Sequence, residues 1–366
     1  MAYSGSVEAL LGLYSIPSIG AAKMRKLISV FGTAEDVLSA SERRLMEIEG
    51  VDRRTIEHIK RGVDKDFIEE QTKLIDAHNV HLLTYWDEHY PARLKGIYDP
   101  PAFLFAKGDM ACLDIPSFAV VGTRHPTGYG RMITERFSRE LVQNGFVIIS
   151  GLARGIDTLA HKTALQSGGK TIAVLGNGLD RIYPSENRKI YQQITENGLL
   201  VSEYPMGTNP DAGNFPKRNR IISGISSGVL ITEAGDKSGA LLTAYYAADQ
   251  NREVFAVPGS IVSGKSTGTN NLIKSGAKLV ACIEDILEEL QGQLNLSMPK
   301  NKTKRVLPEL SGTEKTVYDL LGSEPQHVDQ IAIRLGLSPS ETLSSLLTLE
   351  LMGAIRQMAG KMFVRI

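Results

Sequence analysis

From Phe118 onward, short apolar runs alternate with segments of helical period, and this alternation limits the fold more than any other feature of the chain. Strand-like runs fall at Ala119–Val121, Phe146–Ser150, Thr171–Leu175, Leu199–Glu203, Gly228–Thr232 and Glu253–Val257. Helical patterns lie between them at Gly130–Asn144, Asp157–Gln166, Pro184–Asn197, Phe215–Ile225 and Ser238–Gln250. Repeated βαβ units with right-handed crossovers make a parallel, doubly wound sheet, so the predicted fold class is α/β with a Rossmann-like core.

Ligands of such sheets sit at the carboxyl ends of the strands. The first strand runs into a basic, hydroxyl-rich loop, FAVVGTRHPTGYG from Phe118 to Gly130, as a phosphate-binding strand-loop-helix unit does. The other strand ends contribute Gly151, Arg154 and Gly155, then the FPKRNR segment with Phe215, Lys217, Arg218, Asn219 and Arg220, then Ser238 and Gly239. Glycines let backbone amides face an anion, and the cations add charge at the same rim. Together with Gly122, Thr123 and Arg124 these are the predicted binding residues. Phe215 offers a ring face for a base beside three cations, which suits a strand with splayed bases.

Two nucleotide readings fit less well. A dinucleotide site needs GxGxxG after the first strand and an acidic residue ending the second, whereas Arg124 sits in the turn and Ser150 ends the second. Gly259–Ser266 reads GSIVSGKS, a literal phosphate-loop match. A proline precedes it, STGTNN follows where a helix is needed, and no later strand ends in Asp. Substitution of Lys265 is expected to change little.

Ahead of the core, residues 1–62 hold two similar segments, Ile16–Gly32 and Leu45–Gly62, each a turn glycine (Gly20, Gly50) followed by a helix with basic first turns. They read as a helix-hairpin-helix or SAM-like helical module, with DNA contact and plain packing both open. Residues 63–290 are assigned to the sheet domain, entered through a helix at Phe67–His78 and a strand at His81–Tyr85. His78, His81 and His89 have no third ligand of matching type nearby, so no metal is expected.

Residues 291–310 lose periodicity and read as a linker. Residues 311–366 give helices at Thr313–Leu321, Val328–Leu335 and Pro339–Met352, then a hairpin around Gly360, a winged-helix pattern. From Glu309 to Ile366 five basic residues face seven acidic ones, and SPSETLSSLLTLELMG holds no Lys or Arg. A groove reader needs cations there, so the wing is expected to contact protein or to contribute only weakly to DNA binding.

Overall, 41 basic residues balance 41 acidic ones, so a nucleic-acid site must be a local concentration of charge. Two cysteines, Cys112 and Cys282, argue against disulfide scaffold and zinc site alike. No signal peptide or apolar span is apparent, and a cytoplasmic protein without membrane contact is expected.

GTRHPTGYG, SGLARGIDTLAH (Ser150–His161), VSEYPMG (Val201–Gly207), FPKRNRIISGIS (Phe215–Ser226), ITEAGDKSGALLTA (Ile231–Ala244), FAVPG (Phe255–Gly259) and GTNNLIKSGA (Gly268–Ala277) resemble the successive signatures of the DprA/Smf DNA-processing proteins. The resemblance implies a non-catalytic single-stranded-DNA binder that protects incoming DNA, loads RecA during natural transformation, and forms a homodimer through its Rossmann-like domain. It implies that Arg124 grips a phosphate, that Lys217, Arg218 and Arg220 line the adjoining groove, that Asn219 bonds a sugar or loop carbonyl, and that Phe215 flanks a base. Other competence proteins become candidate partners of the wing, and no cofactor is implied. The competing reading is a nucleotide enzyme, either a hydrolase through Lys265 or a phosphoribohydrolase-like site through Glu233. EAGDKSGALL departs from the glycine-rich block of the latter. A transcriptional regulator using the wing is a third reading, which the charge count disfavours.

Overall fold

The computed structural model describes residues 5–291, 312–322, 326–352, 354–358 and 360–365, in two compact units, Met1–Leu296 and Ser297–Ile366. The predicted linker at 291–310 lies, from residue 292, outside the described residues.

The chain starts with short helices α1 (Val7–Ser15), α2 (Ala21–Phe31), α3 (Ala34–Ser39), α4 (Glu42–Met46) and α5 (Arg53–Arg61), followed by the longer α6 (Lys65–His78). Capping side chains fix most of their starts. Ser6, Thr33, Ser41, Asp52 and Asp64 each accept the backbone N–H three residues on, satisfying one otherwise orphaned donor per helix. At α2 the cap is Gly20, without a side-chain bond. Leu10, Leu11, Leu27, Ile28, Leu45, Ile56 and Ile59 are buried together with Phe103, Phe105 and Leu200 of the sheet domain. The helical module and the sheet therefore share one core.

Eight of the sheet's strands alternate with helices: β1 (His81–Thr84), α7 (Ala92–Lys95), β2 (Phe103–Gly108), β3 (Ser117–Val121), α8 (Gly128–Gln143), β4 (Val147–Ser150), α9 (Ile156–Gln166), β5 (Thr171–Leu175), α10 (Arg188–Asn197), β6 (Leu199–Ser202), α11 (Asn214–Ile225), β7 (Gly228–Ile231), α12 (Ala240–Asp249), β8 (Glu253–Ala256) and α13 (Thr267–Lys274). The two-residue β9 (Lys278–Leu279) and α14 (Glu284–Gln291) follow. The sheet order is β1-β2-β6-β5-β4-β3-β7-β8-β9. From β6 to β9 every pairing is parallel, and the central strands β6, β5, β4, β3 and β7 are buried throughout, as continuous apolar runs require. The segment before β3 is more than a lead-in. It lays β1 and β2 antiparallel along the edge at β6.

Chain order reverses between β3 and β7, which makes that boundary the topological switch point.

The second unit holds α15 (Gly312–Leu320), β10 (Gln326–His327), α16 (Val328–Leu335), α17 (Pro339–Leu351), β11 (Ile355–Met358) and β12 (Met362–Arg365). Its three strands pair antiparallel in the order β10-β12-β11, giving a winged helix. Val317, Ile331, Leu346, Leu349 and Phe363 form its core, and a Ser338–Glu341 capping box starts α17. Among the described residues no helix is long and apolar enough to cross a membrane.

Asp157 and His161, one turn apart on α9, hold the strand ends rather than each other. Asp157 accepts from the N–H groups of Gly151 (3.1 Å) and Ala153 (3.4 Å), while His161 Nδ1 meets Thr171 Oγ1 at 2.7 Å. Burial, assisted by the positive charge of Arg218, pushes the His161 pKa down to about 3. An unfolded histidine protonates near 6.5, so below that pH the unfolded chain takes up a proton that the folded chain refuses. Stability is thus expected to fall by up to about 1.4 kcal/mol per pH unit from this residue as pH drops from about 6 toward 4. Denaturant titrations should show His161→Gln with a flatter slope there, and an unchanged slope would contradict the assignment.

Candidate nucleic-acid interface

At the switch point three loops are tied into one surface. Thr123 donates its N–H to Glu233 O (2.8 Å), and Ile156 donates its N–H to Thr123 O (3.2 Å). The Glu233 carboxylate, 3% exposed, accepts from Thr127 N (2.8 Å) and Thr127 Oγ1 (2.6 Å). The loop after β3 is therefore clamped to the loop after β7. Gly155 shows why this joint tolerates no side chain. Its φ is +79°, and a Cβ there would lie 2.4 Å from Thr123 O.

Helices α8, α9, α11 and α12 all begin at this rim, with Thr127, Gly155, Gly213 and Gly239 as N-caps. Their positive dipole ends favour an anion in front of them. The rim borders an open cleft of about 1330 Å³ lined by Gly122, Thr123, Arg124, Phe215, Arg218, Asn219, Ser238 and Gly239 among others. Small-molecule pockets are typically about 300–1,000 Å³, so this cleft has room for an extended chain.

Most predicted residues meet here, in differing roles. Arg124 is exposed and makes no ion pair among the described residues, which leaves its guanidinium available to an anion. Arg218 is 4% exposed, and two of its three nitrogens bond the protein. Nη1 bonds Gly151 O (2.8 Å) and Val174 O, and Nε bonds Asn219 Oδ1 (3.2 Å). Gly151 passes beneath the guanidinium, where a Cβ would lie 2.5 Å from Nη2. Burial brings the Arg218 pKa down to about 10 against the pull of Asp157, so it stays charged at neutral pH. Burial likewise raises the Asp157 pKa, with Arg218 opposing. Arg218 thus lines the cleft, as the resemblance implies, and also ties its floor together.

FPKRNR does not form one row. It opens α11 at about 100° per residue, so Arg218 and Asn219 face the cleft while Lys217 and Arg220 turn away. Arg220 pairs with Glu203 (2.7 Å) and Asp99 (3.7 Å) and is 12% exposed. Lys217 is exposed, and both line a second cavity of about 660 Å³ beside Tyr14, Gly20 and Tyr204. Arg154 is exposed and ion-paired to Glu186. Asn219 reaches Gly239 O at 3.4 Å, bracketing the start of α12.

Three cleft residues escaped the sequence reading. Tyr183 stacks on Phe215 with ring centroids 5.5 Å apart at 27°, and nothing periodic around it marks the loop before α10. Lys237 is exposed on the loop after β7, next to the predicted Ser238. Lys265, set aside with the phosphate-loop match, also lines the cleft and is exposed.

That match differs from expectation in one respect. Helix α13 does start at once, at Thr267. However, its first-turn amides at Gly268 and Thr269 both donate to Ala234 O, at 2.8 and 3.3 Å, so they do not face a phosphate. Among the described residues no cluster of three or more His, Cys, Asp or Glu is placed to hold a metal ion.

Residues 81–291 match a family model described as DNA recombination-mediator protein A, residues 301–361 a DprA winged helix domain, and residues 8–65 a SAM-like helix-hairpin-helix tandem. The chain is 36% identical over 387 residues to Protein Smf of Synechocystis sp., covering 96% of each chain. It is 47% identical over 204 residues to DNA processing protein DprA of Bacillus subtilis, covering 56% of this chain and 69% of that protein. Among solved structures, DprA from Streptococcus pneumoniae superposes with a TM-score of 0.69 at 36% identity, covering 79% of this chain and 99% of that one. DNA processing protein A from Helicobacter pylori, described by its single-stranded DNA binding mode, gives 0.53 at 36% identity over 58% of this chain and 96% of that one. This chain belongs to the DprA/Smf family of DNA recombination-mediator proteins.

Proposed function

We propose that this protein binds single-stranded DNA along the switch-point cleft, protects incoming strands and delivers them to RecA during transformation and recombination. One observation carries the DNA part: exposed Arg124, Lys237 and Lys265 share a cleft with the stacked Tyr183–Phe215 pair. Cations that track a backbone together with rings that accept bases are what an unpaired strand needs, and a duplex hides its base faces. The single-stranded DNA binding attributed to the Helicobacter pylori relative supports the same ligand. Delivery to RecA, cytoplasmic location and homodimerisation through the Rossmann-like domain rest on the family resemblance. Contact of the wing with competence proteins is supported by α17, which lacks Lys and Arg and exposes Leu343 and Leu347.

The enzyme reading is weaker. Glu233 is engaged by Thr127, and the α13 amides are engaged by Ala234. Neither group is then free to attack or cradle a nucleotide.

Fluorescence anisotropy with labelled single- and double-stranded oligonucleotides at several salt concentrations tests this function. Single-strand preference with a steep salt dependence is expected, and equal or absent binding would overturn it. Arg124→Ala should weaken binding about tenfold, as loss of one charged hydrogen bond of about 1.5 kcal/mol predicts. It should also lower the salt slope by about 0.7. Arg218→Ala should act differently. Removing it leaves Asp157 buried without its counter-ion, at about 3 kcal/mol, so thermal unfolding should shift down markedly. Arg124→Ala should leave the melting midpoint in place, and the reverse pattern would contradict the assigned roles.

A further inference from the structure

Between β8 and α13, residues Gly259–Ser266 carry a phosphate-loop sequence on a backbone that points elsewhere. Two successive turns build the loop, Ser263 N–H bonding Ser260 O and Ser266 N–H bonding Ser263 O, each at 3.0 Å. Its base is clamped from both sides. Asn270 accepts from Gly259 N (3.1 Å) and donates to Gly259 O (3.0 Å), and the Ser266 side chain is buried against Gly259. Gly264 O lies so near Gly235 that a Cβ there would come within 2.8 Å. The loop is thereby braced against the β7 side of the cleft.

Its tip is chemically unusual. Ile261 and Val262 occupy the centre of the first turn and are 91% and 90% exposed. Turn centres are normally Gly, Pro, Asn, Asp or Ser, and two adjacent β-branched apolar residues left in water forgo the burial that would stabilise them. Lys265 follows three residues on, exposed and with no ion pair among the described residues, in the wall of the cleft that also holds Arg124 and Lys237.

We propose that this loop is a finger on single-stranded DNA, with Lys265 pairing with a backbone phosphate while Ile261 and Val262 lie against the neighbouring unpaired bases. The proposal rests on the single-strand reading of the cleft and extends it to a wall that the sequence set aside. Charge complementarity and continuity with the cleft select this occupant. A polyanion held by Arg124 and Lys237 passes Lys265, and only an unpaired strand then offers base faces to an apolar tip. A duplex would set its phosphates against Ile261 and Val262.

The test compares the full chain with Lys265→Ala and with the double variant Ile261→Ser/Val262→Ser. Each is titrated with a fluorescein-labelled oligo-dT and with an abasic oligonucleotide of the same length. Lys265→Ala should weaken both ligands about fivefold and lower the salt slope by about 0.7. The double variant should weaken oligo-dT about fivefold, leave the abasic strand unaffected and keep the salt slope, as expected for contact with bases. Wild-type affinity of either variant for oligo-dT would overturn the finger, and if Arg124→Ala still loses binding the cleft reading survives. Unchanged DNA binding with a shift in sedimentation would overturn it in favour of a contact between two copies of the chain. Failure of the unaltered protein to bind oligo-dT would overturn both.

Discussion

The buried Arg218 guanidinium is the interaction on which the rest of the interface depends. It joins α11 to the carbonyls of Gly151 and Val174, so the helix that carries Phe215 and Asn219 is fixed against the ends of β4 and β5. A guanidinium in that position is costly to desolvate, and the cost is offset by carbonyl acceptors and by Asp157. Its charge is thus held at the cleft floor, 4% exposed, where it raises the local potential. The Glu233 clamp complements it from the other side of the switch point by fixing the loop that presents Arg124. Two buried ionisable side chains therefore position Arg124, Phe215 and Asn219 around the cleft.

This arrangement gives a chain with no net charge a cleft of locally positive potential. Helix N-termini, a buried guanidinium and a few exposed cations act together over one cleft, while acidic residues elsewhere balance the total. The same economy separates the two halves of FPKRNR. Arg218 serves the cleft from below, and Arg220 is held by Glu203 and Asp99 on the far side of α11.

Much of the fold was legible because parallel strands buried on both faces leave unbroken apolar runs. β5 matches its predicted bounds, and β3, β4, β6, β7 and β8 fall within one or two residues of theirs. The edge strand β1 was also read to within one residue, whereas β2 and the two-residue β9 were not predicted. β2 lies among prolines and pairs antiparallel to β6, a partner nearly a hundred residues away that no local pattern reveals. At the site, residue types were readable and directions were not. Arg124 and Arg218 look alike in sequence, yet one is exposed and the other is 4% exposed, because helix phase and the nearby Gly151 decide which guanidinium is covered. The position of Lys265 was hidden for a related reason. Its motif was weighed against nucleotide binding alone, and its place on the cleft follows from the sheet order, which brings β8 to the side of β7.

The central claim is that a single strand lies along the switch-point cleft and sets bases on the Tyr183–Phe215 pair. Photocrosslinking with an oligonucleotide carrying 5-iodouracil, followed by peptide mapping, tests it directly. The account predicts adducts on Tyr183, Phe215 or the segments flanking them, and their loss in Arg124→Ala at the same oligonucleotide concentration. Adducts confined to the winged-helix unit, with none in the cleft, would contradict it.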